Sequence, residues 1–360
     1  MRLSKYLNIF SDIKEIPEVL DQKIYPSLNG LRAIAVIMVV ISHIAGHYKF
    51  LQPTVFLGYL GVNIFFVLSG FLITTLCIKE QITTKQLSLK NFYIRRALRI
   101  LPVAYLYILV IVVLSSIFKL GVSKSNIFSS ALFAANFTYF HKPHLNMELG
   151  HFWSLSLEEQ FYLMFPFLLK KSFKVFMSFI LFILVVLPII IYLQSVDLLY
   201  NNGVAYALPY YLIKFQAISL GCLFSVLSFK GYLNWGPWRF LISAISLIII
   251  LVVQINHYPT PGAVFNNLFI STMTGFLIEN SIYKSNDPLF KFFNIRIIAL
   301  IGVLSYSVYI WQQLFLSHTG IFPISTYPYN FCFLIVVPCL SYFYYEKFFL
   351  KLKSRFTKRR

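Results

Sequence analysis

Residues 57–78 have the sequence LGYLGVNIFFVLSGFLITTLCI, an apolar segment without a charged side chain. An α-helix of about 20 apolar residues crosses the hydrocarbon core of a bilayer, so this segment predicts a transmembrane helix. The whole chain has the same character, since 58% of its 360 residues are hydrophobic and 12% are charged, with a mean hydropathy of +0.73. Soluble domains carry about 25% charged residues. The composition therefore excludes an ordinary soluble enzyme.

Further segments share this length and apolar character, which predicts an all-α, polytopic integral membrane helical bundle of about ten transmembrane helices. The predicted spans are 31–48, 57–78, 100–118, 152–169, 175–194, 205–229, 239–256, 264–283, 297–317 and 328–349. An eleventh apolar stretch, 127–140, is short and contains Asn136 and Thr138. We interpret it as part of a long outer segment, 119–151, that is a candidate to re-enter the membrane without crossing it.

The basic residues predict the orientation of the chain, because Lys and Arg accumulate on the cytoplasmic side of membrane proteins. The net charge is +19, and the basic residues lie between apolar segments, so we expect no nucleic-acid partner. A cytoplasmic N-terminal segment, 1–30, puts the connection 79–99 and the basic tail 350–360 on the same side, so both termini are cytoplasmic. Residues 1–30 lack the apolar core of a signal peptide, and we expect them to lie on the membrane surface.

Ionisable side chains at membrane depth are costly and usually functional, and the first predicted span contains two of them. Arg32 and His43 are 11 positions apart, which places them on one helical face and separates them by about 16 Å of helix rise. Arginine suits phosphate groups, whereas histidine accepts a proton near neutral pH. The alternative is an Arg32 side chain that reaches the membrane surface and a hydrogen-bonded core His43.

Three arginines lie close together in FYIRRALRILP, residues 92–102. Arg95 and Arg99 are four positions apart, and Arg96 and Arg99 three, so a helix clusters them beside the membrane. Such a run commonly anchors a protein on the cytoplasmic side. The alternative is a binding site for phosphate groups, which guanidinium ions recognise well. The sequence leaves both interpretations open.

A third polar cluster occurs in HFWSLSLEEQFYLMFP, residues 151–166. His151 and Glu158 are seven positions apart and lie on nearly the same helical face. Glu158 lies about 10 Å of helix rise beyond His151, deeper than a charge at the membrane boundary needs to be. We interpret Glu158 as functional, with Trp153 and Gln160 nearby, and a hydrated helix end is the alternative.

The four cysteines indicate neither a disulfide framework nor a metal site. Cys77, Cys222, Cys332 and Cys339 all lie inside apolar segments and lack the spacing of metal ligands. We expect them to be packing residues, and we predict no metal.

Together these segments resemble the membrane-bound acyltransferase family 3, which contains bacterial O-acetyltransferases of cell-surface polysaccharides. The resemblance is carried by PSLNGLRAIAVIMVVISH (26–43), GVNIFFVLSGFLI (61–73), FYIRRALRILP (92–102) and HFWSLSLEEQFY (151–162). Weaker similarities follow at 214–223, at 304–313 and around Glu346. The resemblance therefore covers nearly the whole chain, with the motifs in the family's order.

Four positions depart from the family's usual residues. Asn63 stands where the family often has Asp, Lys214 where it often has Arg, and Phe348 where it often has Pro. Gln312 stands where many members have His, which weakens any role for a second histidine at that position.

The resemblance implies that residues 31–349 form a membrane acyltransferase domain in the bacterial inner membrane. It would transfer an acyl group, commonly acetyl from acetyl-CoA, to a hydroxyl of a lipid-linked or surface glycan. His43 would be the general base or a transient acyl carrier, and Glu158 would orient it or balance its charge. The remaining residues divide into CoA-phosphate ligands (Arg32, Arg95, Arg96 and Arg99) and acceptor-binding residues (His151, Trp153 and Gln160). The expected partners are acyl-CoA, a glycan acceptor and membrane lipid.

Two other classes of protein fit the same composition. A transporter or flippase for a glycan precursor also has about ten spans and buried charges, and often an internal repeat. A structural partner in a glycan-assembly complex is the third possibility, although it gives a buried His43 no evident use. Binding of CoA to the purified protein would count against both.

Overall fold

The structure is a computed structural model that describes residues 9–22, 24–45, 54, 57–137, 147–196, 203–255, 263–316 and 326–356. Helices are the regular structure throughout these ranges, which contain no β-strand. The predicted all-α class is therefore confirmed for the described chain.

Fifteen α-helices are numbered here in chain order. They are α1 (Pro26–Ala45), α2 (Leu57–Thr84), α3 (Leu89–Phe118), α4 (Lys124–Ala131), α5 (Phe152–Lys171), α6 (Phe173–Leu181), α7 (Leu187–Ser195), α8 (Gly203–Leu212), α9 (Gln216–Phe229), α10 (Arg239–Ile255), α11 (Ala263–Ser281), α12 (Pro288–Phe293), α13 (Arg296–Leu316), α14 (Tyr329–Leu340) and α15 (Lys347–Ser354). Two π-helical segments, Phe182–Val186 and Ser341–Glu346, join α6 to α7 and α14 to α15. Short 3₁₀ turns occur at Glu18–Leu20, Met147–Leu149, Ile213–Phe215 and Gly236–Trp238.

Eight helical runs in the described chain are long and apolar enough to cross a membrane. They are Ser27–Ala45, Leu57–Thr84, Leu89–Phe118, Phe173–Ser195, Leu208–Phe229, Gly236–Val253, Arg296–Leu316 and Tyr329–Ser354. These runs confirm the predicted polytopic membrane protein. The predicted spans 152–169 and 264–283 form α5 and α11 but are not among the eight, because side chains such as Glu158 and Glu279 make both helices more polar. The number ten stays a prediction.

The predicted re-entrant stretch, 127–140, begins inside the short helix α4. Ser123 caps this helix by accepting a hydrogen bond from the backbone N–H of Asn126 (3.1 Å). The chain turns at Phe133, whose φ of 52° lies in the left-handed region. Residues 138–140 lie outside the described residues, so re-entry into the membrane stays a prediction.

The chain divides into two compact units. The first contains Met1–Ala35, Val62–Leu87 and Phe161–Ala299, and the second contains Val36–Gly61, Ser88–Gln160 and Leu300–Arg360. Each unit is described by itself below.

In the first unit, α2 and α9 touch through their backbones. A Cβ atom added at Gly70 would lie 1.9 Å from the carbonyl oxygen of Ile218, and one added at Gly221 would lie 2.0 Å from the carbonyl oxygen of Val67. Only residues without a side chain fit such a crossing. Glycines in membrane helices commonly allow this close approach, so Gly70 is a packing residue.

A chain of amide groups links α2, α9 and α11 in the same unit. Asn63 Nδ2 donates to Asn267 Oδ1 and to Ser271 Oγ, both at 2.8 Å. Asn267 Nδ2 in turn donates to Gln216 Oε1 at 2.7 Å. Interhelical bonds of this kind satisfy polar groups that would otherwise lack partners at membrane depth.

The described part of the N-terminal segment is tied to the first unit by hydrogen bonds. Lys79 Nζ donates to the carbonyl oxygen of Gln22 (3.1 Å), and Gln22 Nε2 donates to that of Ile282 (3.2 Å). Lys230 Nζ donates to the carbonyl oxygen of Ser11 (2.8 Å). These bonds put the ends of three helices on the same side of the unit, and the assignment of that side to the cytoplasm stays a prediction.

The crossing of α2 and α9 predicts unequal effects of two Gly→Ala changes in the same helix. Gly70→Ala should lower the midpoint of thermal unfolding, because overpacking against a backbone carbonyl costs about 1–3 kcal/mol. Gly58→Ala is the milder comparison, since its Cβ would lie 2.5 Å from the Ser42 hydroxyl oxygen, which can rotate away, and 3.0 Å from the Ser42 Cβ, but would meet no backbone atom. Thermal unfolding of the purified protein in detergent measures both. Equal midpoints would contradict the tight crossing.

Candidate functional site

His43, near the end of α1, is hydrogen-bonded to Gln312 of α13 within the second unit. The distance from His43 Nδ1 to Gln312 Oε1 is 3.2 Å. A carbonyl oxygen can only accept, so Nδ1 carries a proton, and in the neutral form of His43 the lone pair is on Nε2. The Gln312 side chain is 0% exposed, which fixes the bond in the protein interior. The residue that the sequence marked as a departure from the family is therefore the partner of His43.

Two buried N–H donors accompany this pair on α13. Trp311 Nε1 and Gln312 Nε2 have no hydrogen-bond partner among the residues that the structure describes. A buried donor without an acceptor costs about 1–3 kcal/mol. Such donors are available to the oxygen atom of a bound molecule.

His151, immediately before α5, is a second histidine of this region. Its side chain is 4% exposed, and neither ring nitrogen has a hydrogen-bond partner in the described chain. Its ring centroid lies 5.1 Å from that of Tyr107 and 5.7 Å from that of Tyr309. Burial, and then the charge of His43, lower the pKa of His151 to about 3. His151 is therefore neutral at physiological pH.

Tyr107 of α3 connects these groups, and sequence analysis missed it. Its ring also packs edge-to-face on Trp311, with centroids 5.5 Å apart, and its hydroxyl donates to the carbonyl oxygen of Glu148 (2.6 Å). The Glu148 side chain is 1% exposed, its Oε1 has no partner among the described residues, and burial raises its pKa. A tyrosine in an apolar run gives no signal in the sequence, and Glu148 lies in a connection where a charge is ordinary.

The arginines of α3 have separate partners in the second unit. Arg96 forms ion pairs with Glu158 (3.7 Å) and Glu159 (3.5 Å). Arg95 Nη1 donates to the carbonyl oxygen of Phe356 (3.0 Å), close to the basic tail. The structure thus brings Glu158 to an arginine and brings Gln312 to His43. Anchor and phosphate-site interpretations of the arginines both stay predictions.

The other predicted site residues are dispersed. Gln160 exchanges hydrogen bonds with Asn136 (2.8 and 3.1 Å) and donates to the carbonyl oxygen of Phe133 (2.8 Å), so it fixes the segment after α4. Trp153 is half-buried on α5, and Arg32 is half-buried on the part of α1 in the first unit. Their roles as ligands stay predictions. Within the described ranges, no cluster of three or more candidate metal ligands occurs.

The amino-acid sequence of this chain matches a known protein family. The sequence profile of a family described as an acyltransferase domain matches residues 25–346. The chain belongs to this acyltransferase family. The match confirms the predicted resemblance and includes both histidines, Gln312 and the arginines of α3.

Curated relatives of this acyltransferase family member are O-acetyltransferases by name. The peptidoglycan O-acetyltransferase OatA of Listeria monocytogenes is 30% identical over 323 residues, covering 81% of this chain and 49% of the relative. The O-acetyltransferase OatA of Staphylococcus aureus is 28% identical over 331 residues, covering 84% and 52%. The chain spans about half the length of the curated relatives it matches. No solved structure matches it significantly.

The depressed pKa of His151 predicts a pH dependence of stability. Between its ordinary pKa of 6.5 and about 3, the unfolded state binds a proton that the folded state does not, so stability falls as the pH is lowered. The variant His151→Phe should therefore show a smaller fall in melting temperature than wild type between pH 6.5 and pH 4. Glu148 is the opposite case. Burial raises the pKa of its carboxyl group, so its contribution to stability is lost as the pH rises, and Glu148→Gln should remove that loss. An unchanged acid limb in His151→Phe would contradict a buried neutral His151.

Proposed function

We propose that the chain transfers an acyl group, acetyl from acetyl-CoA, to a hydroxyl group of a surface or lipid-linked glycan. The observation that carries this proposal is the hydrogen bond from His43 to Gln312, inside a domain of an acyltransferase family. Family membership supports acyl transfer, the names of the two OatA relatives support an oxygen acceptor, and the name of the Listeria relative supports a glycan of the cell envelope.

The first route uses His43 as a general base. Nε2 takes the proton of the acceptor hydroxyl while the hydroxyl oxygen attacks the thioester carbonyl of acetyl-CoA. The tetrahedral intermediate then collapses, the C–S bond breaks, and the thiolate of CoA takes the proton from His43. The products are the acetylated hydroxyl and CoA with a free thiol.

The second route uses His43 as an acyl carrier. Nε2 attacks the thioester carbonyl, the C–S bond breaks, and CoA leaves as a thiolate from an acyl-imidazolium that keeps its proton on Nδ1. The acceptor hydroxyl then attacks the acyl group, the N–C bond breaks, and the hydroxyl proton passes to the CoA thiolate. Both routes need the same tautomer, with the proton on Nδ1. The Gln312 carbonyl oxygen supports this tautomer by accepting that proton in a hydrogen bond.

Both routes place negative charge on the former carbonyl oxygen. The unpartnered N–H groups of Trp311 and Gln312 are candidates to donate hydrogen bonds to it. Donors that are already in place stabilise such an oxyanion, and removing one commonly costs about 10²–10³-fold in rate. A neutral His151 and the aromatic rings around it suit the acceptor side of the same region, because they exclude water without adding charge.

The arginines supply the proposed contacts to the phosphate groups of the donor. Arg95, Arg96 and Arg99 lie in the first turns of α3, and Arg32 precedes His43 by 11 positions on α1. Glu158 pairs with Arg96, which supports a role in fixing that guanidinium, and any direct action on His43 stays a prediction. We propose a bacterial cytoplasmic membrane with both termini inside, where acetyl-CoA is available to these arginines.

Acetyl transfer is tested with labelled acetyl-CoA and membranes that contain the chain, with several glycan acceptors supplied. His43→Ala should lower transfer by about 10²–10⁴-fold, the usual contribution of a general base. Ser42→Ala, at the neighbouring position of α1, is the control and should retain activity at matched expression. Equal labelling by His43→Ala and wild type would remove His43 from the mechanism. Glycan movement across the membrane without any need for CoA would favour the transporter instead.

The role of Gln312 is tested by the pH dependence of transfer. Gln312→Leu removes the acceptor for Nδ1 and should lower kcat by about tenfold, the value of one hydrogen bond. Gln312→Glu places a carboxylate beside the imidazole, which favours its charged form, so the acid limb of the pH–rate profile should move to higher pH. A purely structural Gln312 would lower the amount of folded protein in both variants without moving that limb.

A further inference from the structure

A cavity of about 240 Å³ lies within the first unit and carries no role in the proposed acyl transfer. Its walls come from the turn before α10, the start of α10, the end of α11 and the start of α12. Two cationic side chains, Arg239 and Lys284, belong to this lining. The cavity therefore combines a partly open, recessed volume with positive charge.

Arg239 is held in a fixed position at the cavity wall. Its Nη2 donates to Asn234 Oδ1 (2.8 Å), and its guanidinium carbon lies 3.5 Å from the centre of the Tyr283 ring. Its Nε has no hydrogen-bond partner among the described residues. Glu279, 0% exposed, interacts with this charge from a position outside the cavity lining. A stacked, fixed guanidinium is suited to planar recognition of phosphate oxygens.

Asn280 is the observation that indicates a ligand. Asn280 belongs to the cavity lining and is 7% exposed, and neither its Oδ1 nor its Nδ2 has a partner in the described chain. A buried amide with both groups unpaired lowers the stability of the fold, and a bound partner would explain why this residue is polar. A rotation of the amide toward the cavity would let Nδ2 donate to a ligand oxygen there.

The acidic side chain in the lining, Asp287, is already engaged. Its Oδ1 accepts from the backbone N–H of Phe290 (2.7 Å), and its Oδ2 accepts from the Ser285 hydroxyl. Oδ1 therefore serves the N-terminal cap of α12, and Oδ2 is held by a side chain of the turn before it. Lys284, exposed at the same wall, adds a positive charge without a fixed position.

The cavity adjoins the end of a candidate membrane span. The run Gly236–Val253 begins at its wall, and Trp238, Phe240 and Leu241 next to it are exposed apolar side chains. Tryptophan at the end of a span is typical of the headgroup region of a bilayer. We propose that this cavity binds a phosphate group at the membrane surface, held by Arg239, Lys284 and the amide of Asn280. Its source is an anionic lipid headgroup or a soluble phosphate compound.

Binding is measured by thermal unfolding of the purified full-length chain in an uncharged detergent. The probes are dioleoylphosphatidylglycerol, dioleoylglycerol as the same lipid without phosphate, inorganic phosphate, and CoA. A ligand that binds only the folded state stabilises it by RT ln(1 + L/Kd), where L is the free ligand concentration, so the melting temperature rises with ligand concentration. A rise with phosphatidylglycerol but not with dioleoylglycerol indicates the lipid source, and a rise with phosphate or CoA indicates the soluble source.

Three variants tie any rise to the cavity. Lys284→Gln should weaken the apparent affinity at least about tenfold, the effect of losing one charge-assisted hydrogen bond. Lys291→Gln is the matched control, an exposed lysine on α12 outside the cavity lining, and should bind as wild type does. Asn280→Leu should abolish the rise in melting temperature. Without ligand, this variant should melt no lower than wild type, because the change replaces an unpaired amide by an apolar group.

Two outcomes would overturn the proposal. One is that no probe produces a rise that depends on both Asn280 and Lys284. The other is that Asn280→Leu unfolds earlier than wild type without any ligand, because the amide would then have a structural partner. Neither outcome bears on acetyl transfer, which is measured with His43 variants.

Discussion

Water is absent from the hydrocarbon core of a bilayer, so each polar side chain buried in a membrane domain must find its partner within the protein. This constraint explains the bond between Asn63 and Asn267, which joins two helices of the first unit. The same constraint applies to the buried side-chain atoms that lack a hydrogen-bond partner in the described chain. Those of His151 and Trp311 adjoin Tyr107 in the second unit, and those of Asn280 line a cavity in the first. At these two places we propose that a bound molecule supplies the missing hydrogen-bond partner.

The fold was largely predictable because its main signal is local. A long run of apolar residues predicts a helix and a membrane span together, and this holds for runs such as Leu57–Thr84 and Arg296–Leu316. The signal weakens where a helix contains polar residues, as in α5 and α11, and there the sequence predicts the helix better than the span. The crossing of α2 and α9 was only partly predictable. Gly70 indicates close packing, but no local pattern identifies Gly221 as part of the same contact.

The candidate site was predictable only in part, because its partners are distant along the chain. His43 is conspicuous as an ionisable residue in an apolar span. Gln312 is 269 positions away, and their contact depends on how α1 and α13 pack. Glu158 was expected to act on His43, yet it pairs with Arg96, which no spacing rule could indicate. Sequence patterns thus identify the costly residues, and three-dimensional packing decides which of them meet.

The hydrogen bond from Gln22 to the carbonyl oxygen of Ile282 has a consequence for biogenesis. The two residues are 260 positions apart. Ribosomes add about 5–20 residues per second, so roughly 10 to 50 s separate the synthesis of Gln22 from that of Ile282. During that interval, the N-terminal segment lacks its hydrogen bond to Ile282 while further helices enter the membrane. The bond to Ile282 is therefore a late contact, whereas the bond from Lys79 to Gln22 can form once α2 is in place.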